Sequence, residues 1–436
     1  MFFNGVSMDK KMKVAWICNV SNQEIRSHLD LKLPLWRKFL KYFKLGNVEE
    51  NIPDNSHWNT NAIVEFEKIN AVDLHVVFVH PNMNRAKQHF TINGINFYGV
   101  TLGDTSFWST VKSHLHLGED YCRTWKIITS IIKDINPDIV HVMGAENPSY
   151  SMSTLYLPKE IPILVQMQTI LNDPGAGIPD TNSQKKCEFD VINRANYIGT
   201  EIKQFANLIR ANIKKDAVIV STRLMVAEKA KHLQEDKLFD FVYFANRISK
   251  SIDLAVEAFA IALKQHPEIT LHIIGGATEP ELAALNTRLD ELECKSSVVI
   301  EGELPTHDDV MEHIRKARFA LLPLKIDVVS GTIREAMWNG LPVVTTITSG
   351  TPSLNEKRES VLLSETGDHS ALAANICRLV ENYDLAERLR KNASATVEEM
   401  FGDNGTKAKE WMAAYEACIN HYQRGSRIPE IMLNKG

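Results

Sequence analysis

The feature that most constrains this chain is a succession of short, continuous apolar runs separated by longer helical patterns. In the first half the runs are KVAWIC from Lys13, DLHVVFV from Asp73, DIVHVM from Asp138, ILVQMQ from Ile163 and the weaker AVIVS from Ala217. In the second half they are FVYFAN from Phe241, ITLHIIG from Ile269, SVVIEG from Ser297, FALLPL from Phe319 and LPVVTT from Leu341. A strand with one wet face alternates apolar and polar residues. A run that is apolar throughout belongs to a strand covered on both faces, as in a parallel sheet flanked by helices. Two sets of about five such strands predict an α/β chain of two doubly wound, Rossmann-like domains. The Lys/Glu-rich stretch AEKAKHLQEDK, Ala227 to Lys237, marks the boundary between a domain over 1–235 and one over 236–405.

Charge and motif content exclude several classes. A formal net charge of -5 argues against a nucleic-acid partner. The six cysteines (Cys18, Cys122, Cys187, Cys294, Cys377 and Cys418) are scattered without a C-x-x-C, which fits thiols in a reducing compartment. No apolar stretch reaches the roughly 18 residues of a membrane span. The opening MFFNGVSMDKKM lacks the apolar core and cleavage site of a signal peptide, so a cytoplasmic location is expected. The sequence contains no G-x-x-x-x-G-K, no G-x-G-x-x-G and no H-E-x-x-H, which removes the main support for ATPase, dehydrogenase and zinc-protease readings.

One segment interrupts the pattern. About 40 residues separate the first strand from a helix near Asn59, longer than an ordinary βα loop. Within them LPLWRKFLKYFK, residues 33–44, places Trp36, Phe39, Leu40 and Phe43 on one helical face, with Arg37, Lys38, Lys41 and Lys44 around it. That pattern suits either a helix docked on its own domain or one lying on anionic lipid.

The stretch richest in chemistry is ALLPLKIDVVSGTIREAMWNGLPVVTT, Ala320 to Thr346. A buried strand ends near Pro323, and Ser330–Gly331–Thr332 opens a helix that Gly340 and Pro342 close. The free N–H groups and positive dipole end of such a helix suit a phosphate. Asp327 and Glu335 flank the helix start, and a carboxylate there can accept the two hydroxyl hydrogen bonds of a ribose or hexose. Acidic residues near a helix start also serve the dipole alone, so spacing leaves both roles open.

This stretch resembles the E-x7-E signature of retaining glycosyltransferases of family 4, which have the GT-B fold. Glu335, Ala336, Met337, Gly340, Pro342, Val343 and Val344 match that signature; Asp327 replaces its first Glu and Ser330 its second Gly. YFANRISKSIDLAVEAF, LHIIGG and SVVIEGELPTHDDVMEHIRKARFALLPL resemble, in order, the segments that precede it in the family. The resemblance implies two Rossmann-like domains facing across a cleft, with a C-terminal helix in 406–436 returning to the N-terminal domain. It implies a nucleotide-sugar donor and no cofactor. Arg247 and Lys250 would clamp the donor diphosphate, Glu335 would hold the ribose and Asp327 the sugar. Ser330, Gly331 and Thr332 would meet the phosphate, and Glu303 and Leu304 would flank the base. The Arg–Lys spacing is three here, where the family usually has five. The absence of any Asp-x-Asp removes the usual metal–diphosphate bridge of the other large glycosyltransferase fold, so no metal site is expected.

The first half matches more loosely. PDIVHVMGAE, Pro137 to Glu146, resembles the family's Pro-Asp-hydrophobic-hydrophobic-His strand and loop. Strand ends face the ligand crevice in doubly wound sheets, which places Glu146 on the acceptor side, while His141 reads as a packed core histidine. The family's next strand often ends in His; Gln168 stands there, able to bind a hydroxyl but not to act as acid or base. Cys18–Asn19–Val20–Ser21 replaces the family's first Gly-Gly loop, leaving Asn19 as a polar group near donor phosphate or acceptor. The expected activity is retaining hexosyl transfer to a glycan or lipid-linked glycan, with residues 33–44 as the expected peripheral contact at the inner membrane face. Two other readings stay open: a nucleotide-sugar epimerase of the same fold class, and a non-catalytic GT-B-like binding protein.

Overall fold

The computed structural model describes residues 11–20, 22–31, 57–102, 121–173, 182–225, 236–248, 251–325, 329–348 and 350–436. The chain divides into two units, Met1–Val226 with Asn404–Gly436, and Ala227–Asp403.

The first unit holds β1 (Met12–Cys18), β2 (Val72–His80), β3 (Lys87–Ile92), β4 (Ile95–Thr101), β5 (Ile139–Met143), β6 (Ile163–Gln166), β7 (Tyr197–Gly199) and β8 (Ile219–Val220). They form one sheet in the order β3-β4-β2-β1-β5-β6-β7-β8. Every neighbouring pair is parallel except β3 with β4. All five apolar runs of this half are strands, and the continuous burial of β5 is that of a strand covered on both faces. β3 and β4 are an added hairpin turning at Asn93–Gly94, both at positive φ (49° and 83°). Asn-Gly is the pair that a two-residue hairpin turn with two left-handed residues prefers.

The helix Asn404–Arg424 belongs to this unit and fills its core. Trp411, Tyr415 and Cys418 are fully buried, and Trp411 meets Trp16 edge-on at 5.7 Å. Trp16 Nε1 donates to the Tyr415 hydroxyl (3.0 Å), which lies 2.7 Å from His141 Nδ1. His141 is completely buried, and desolvation lowers its pKa to about 3, so it stays neutral. This is a core histidine with a hydroxyl partner. Tyr415→Phe leaves two buried nitrogens without their shared oxygen and should cost about 1–3 kcal/mol. Urea unfolding measures this; a midpoint equal to that of the unsubstituted protein would show the network to be energetically idle.

The second unit holds β9 (Phe239–Arg247), β10 (Leu271–Gly276), β11 (Val298–Gly302), β12 (Ala317–Leu321), β13 (Val343–Thr346) and β14 (Leu362–Ser364). All pair in parallel, in the order β11-β10-β9-β12-β13-β14. Five of these strands coincide with the five apolar runs; β14 has only three residues and no run of its own. Among the described residues no helix is long and apolar enough to cross a membrane.

Candidate functional site

In the second unit the strand order reverses between β9 and β12, the point at which open parallel sheets form a ligand crevice beyond their C-terminal ends. Arg247 ends β9 and pairs in register with Gly276 at the end of β10. The two ends run unusually close. Gly275 has φ +146°, and a Cβ there would lie 2.1 Å from the Ala245 carbonyl oxygen, so only glycine fits. A Cβ on Gly276 would sit 3.4 Å from Glu303 Oε2, which places that exposed carboxylate beside the β10 end; Leu304 follows, half-buried. On the other side of the reversal, the Lys325 N–H donates to Ser251 Oγ (3.3 Å) and its ammonium pairs with Asp253 at 2.7 Å. These bonds tie the chain after β12 to the helix that follows β9.

The helix Gly331–Trp338 starts at this reversal. Ser330 caps it, its Oγ accepting from the Ile333 N–H and lying 2.7 Å from Thr332 Oγ1. The first N–H groups of a helix have no carbonyl partner within it and lie at its positive end. Gly331 is exposed, and the nearest atom to a Cβ there would be Arg334 Nη2 at 3.9 Å, so packing does not require glycine. Glu335 lies one turn along, its Oε1 3.6 Å from His307 Nε2. Desolvation raises its pKa to about 7 against the opposing charge of Arg334, although 25% of the side-chain surface stays accessible. The structure therefore gathers Ser330, Gly331, Thr332 and Glu335 on one helix start. It sets Arg247 at the end of β9 and Glu303 just past the end of β11, with the β10 end between them. Lys250 and Asp327 lie outside the described residues.

Two side chains at this site had no sequence expectation. Glu281 accepts from Arg247 Nη2 at 2.9 Å and also accepts from the Thr278 N–H at 2.7 Å, so one carboxylate caps a helix and orients the arginine. The Thr-x-x-Glu capping box is visible in the sequence, its second partner is not. His307 opens the helix His307–Arg315, and only the fold brings it to Glu335.

In the first unit the order reverses between β1 and β5. Asn19 follows β1 with its side chain exposed and its carbonyl accepting from Asn59 Nδ2 (2.7 Å). Gly144, at φ +95°, follows β5; a Cβ there would come within 2.8 Å of Gln168 Nε2 and 3.1 Å of Glu146 Oε1. Gln168 thus lies beside Glu146, two residues beyond the end of β6. Glu146 Oε1 accepts from Asn147 Nδ2 at 3.0 Å, while Oε2 is buried with no hydrogen-bond partner. Burial raises this carboxyl to about 7, with the nearby Glu188 charge acting in the same direction. Glu188 itself accepts from the N–H groups of Leu171 and Asn172 and so shapes the loop after Gln168.

Two parallel-sheet units of this kind make the fold that of the GT-B glycosyltransferases. Residues 226–396 match the model of one family, Glycosyl transferases group 1. No curated protein matches the sequence significantly. Among solved structures, sucrose-phosphate synthase from Thermosynechococcus elongatus is similar at 13% identity and TM-score 0.65, covering 93% of this chain and 98% of that one. HepE from Anabaena, in complex with UDP, has 13% identity and TM-score 0.59, with 93% and 100% covered. A glycosyltransferase from Rickettsia africae has 15% identity and TM-score 0.60, with 95% and 100% covered.

Proposed function

We propose that this protein transfers a hexose from a nucleotide-diphosphate donor to a glycan or lipid-linked glycan, with retention of configuration and without a metal in the transfer step. The observation that carries this reading is the helix start Ser330–Thr332 with the desolvated Glu335 at the β9/β12 reversal, inside the segment that matches the group 1 family. The UDP in HepE makes a nucleoside diphosphate a natural occupant. In this reading Glu335 accepts the ribose hydroxyls and Asp327 the sugar hydroxyls. The Gly331 and Thr332 N–H groups, Arg247 and Lys250 meet the diphosphate, while Glu303 and Leu304 border the base. As the bond from the anomeric carbon to the diphosphate breaks, fixed cations and helix-end dipoles stabilise the charge left on the phosphate. The acceptor oxygen bonds the same face of that carbon and passes its proton to the departing phosphate. Asn19, Glu146 and Gln168 are assigned to the acceptor; Glu146, largely protonated below pH 7, can donate to a hydroxyl through its unpartnered oxygen.

A thermal-shift screen of nucleotide sugars, followed by turnover with and without an added acceptor, tests the proposal. Consumption of donor only when acceptor is present supports transfer, and interconversion of the donor without acceptor would favour an epimerase. Donor binding with no turnover under any acceptor would favour a non-catalytic protein. Transfer should persist in EDTA.

The acceptor proposal extends to a membrane edge on the cytoplasmic side. Residues 33–44 lie outside the described residues, and their sequence alone supports this step. Burying Trp36, Phe39, Leu40 and Phe43 at ~25 cal/mol per Å² contributes several kcal/mol, and each cation adds roughly 1 kcal/mol on anionic lipid. The protein should sediment with anionic liposomes in a salt-sensitive way, and changing Arg37, Lys38, Lys41 and Lys44 to Glu should reduce this. Transfer to a soluble acceptor should survive those changes. Indifference of the unsubstituted protein to anionic liposomes would leave a docked helix and a soluble acceptor.

A further inference from the structure

A second cluster of chemistry-bearing side chains lies on the β10/β11 edge of the second unit. His272 on β10, Glu301 on β11 and His313 on the helix His307–Arg315 bring one donor atom each to a common point. His272 Nδ1 is 2.9 Å from Glu301 Oε1 and 3.3 Å from His313 Nε2, and His313 Nε2 is 3.5 Å from the same carboxylate oxygen. Bonds of roughly 2.0–2.1 Å at tetrahedral angles separate neighbouring ligand atoms by about 3.3–3.4 Å. The three separations scatter around that edge.

We propose that His272, Glu301 and His313 bind a divalent transition-metal cation of the zinc class. Two imidazole nitrogens and one carboxylate are a zinc donor set, and such sites complete their tetrahedron with water. The side chains keep 19%, 27% and 19% of their surface accessible, so a cation and a water can reach the open side. The rings are held in place beforehand. Phe239 stacks on His272 at 3.8 Å with 10° between the planes and lies 5.3 Å from the His313 ring. Without a cation, one ring N–H can donate to the Glu301 oxygen and the other ring nitrogen lies 3.3 Å away as its neighbour. With both rings neutral and their facing nitrogens unprotonated, three lone pairs converge on one point, where a cation can accept them.

The cation is placed to fasten structure, outside the transfer chemistry. His272 is four residues, roughly 13 Å of strand, before the β10 end. Its ligands join β10, β11 and the helix behind them. Glu301 is two residues before Glu303, and the helix that carries His313 begins at His307, beside Glu335. Occupancy therefore stiffens the segment from Glu303 to His307 without touching donor or acceptor.

The test uses the full chain, stripped with EDTA and returned to chelator-free buffer. Titration with Zn2+ by calorimetry should show one tight equivalent and a rise in melting temperature, and Co2+ should give the visible ligand-field absorption of a tetrahedral site. His313→Gln and Glu301→Gln, each checked for folding by circular dichroism, should lose the Co2+ band. Each should weaken Zn2+ binding by more than the roughly 10–100-fold that loss of an outer-shell partner costs. Either variant, if folded, suffices. The proposal is overturned if the unsubstituted chain takes up no tight equivalent, or if folded variants bind Zn2+ as tightly as it does.

Discussion

Arg247→Ala combined with Lys250→Ala should lower donor kcat/KM by roughly 10²–10⁴-fold, the sum of two charge-assisted phosphate contacts at about 1.5–3 kcal/mol each. Arg247 is half-exposed and already oriented by Glu281, so it meets a diphosphate without a large desolvation cost or loss of rotamer freedom. The Glu281 carboxylate also counterbalances its charge until phosphate arrives. Each single variant should lose about ten- to a hundredfold, in nucleoside-diphosphate binding as well as in turnover, because the bare diphosphate makes the same contacts. Steady-state kinetics and a binding titration measure both. Kinetics in the double variant equal to those of the unsubstituted protein would remove these residues from the site and move the search for the diphosphate to other cations at the same strand ends, Lys325 first.

The parallel α/β architecture was legible because burial on both faces demands unbroken apolar runs, and ten such runs became strands. The elements that escaped are very short or lie at the edge of a sheet. β7 and β14 have three residues each, too short to print a pattern. β3 alternates exposed and partly buried residues as an edge strand should, and its Asn93–Gly94 turn is a hairpin signal rather than a parallel-sheet one. Site residues followed the same logic. Positions fixed by local backbone chemistry, such as the Ser330 cap before its helix, can be read from sequence. Partners supplied by another element cannot. The Arg247–Glu281 bond joins residues 34 apart, the Glu335–His307 contact 28 apart, and the His272–Glu301–His313 cluster three elements. Spacing rules for helices and strands do not reach across such distances. His141 shows the converse: a histidine on a continuous apolar strand is most simply a core residue, and Tyr415 from the far end of the chain supplies its partner.

Glu335→Gln should weaken nucleoside-diphosphate binding by about ten- to a hundredfold while making the free protein more stable above neutral pH. Both effects follow from one carboxyl group. Desolvation raises its pKa to about 7 from the ordinary 4.5. Between those values the folded protein holds a proton that the unfolded chain has released. Stability is therefore greatest near and below pH 4.5 for this group, falls as pH rises, and levels off above 7. At about 1.4 kcal/mol per unit the loss reaches about 3 kcal/mol, an upper bound because the side chain is partly accessible. Glutamine carries no charge to desolvate, so the variant should escape this loss, and urea unfolding at pH 5 and pH 8 measures the difference. Binding runs the other way. A carboxylate accepts both ribose hydroxyls, each charge-assisted bond contributing about 1.5–3 kcal/mol, whereas the protonated acid must spend one oxygen as a donor. Affinity for UDP or GDP should rise with pH, by up to about tenfold per unit below 7, and then plateau. His307 and Arg334 face the same carboxyl and favour its charged form when cationic. The nucleotide's own phosphate ionisation is common to both proteins and cancels in the comparison. The Glu335→Gln profile should lack this component. Asp327→Asn should behave differently, sparing the bare nucleotide and weakening the sugar-bearing donor. If Glu335→Gln gains stability at pH 8 but binds UDP and GDP as tightly as before at every pH, the desolvated carboxyl is a structural group and the ribose is held elsewhere.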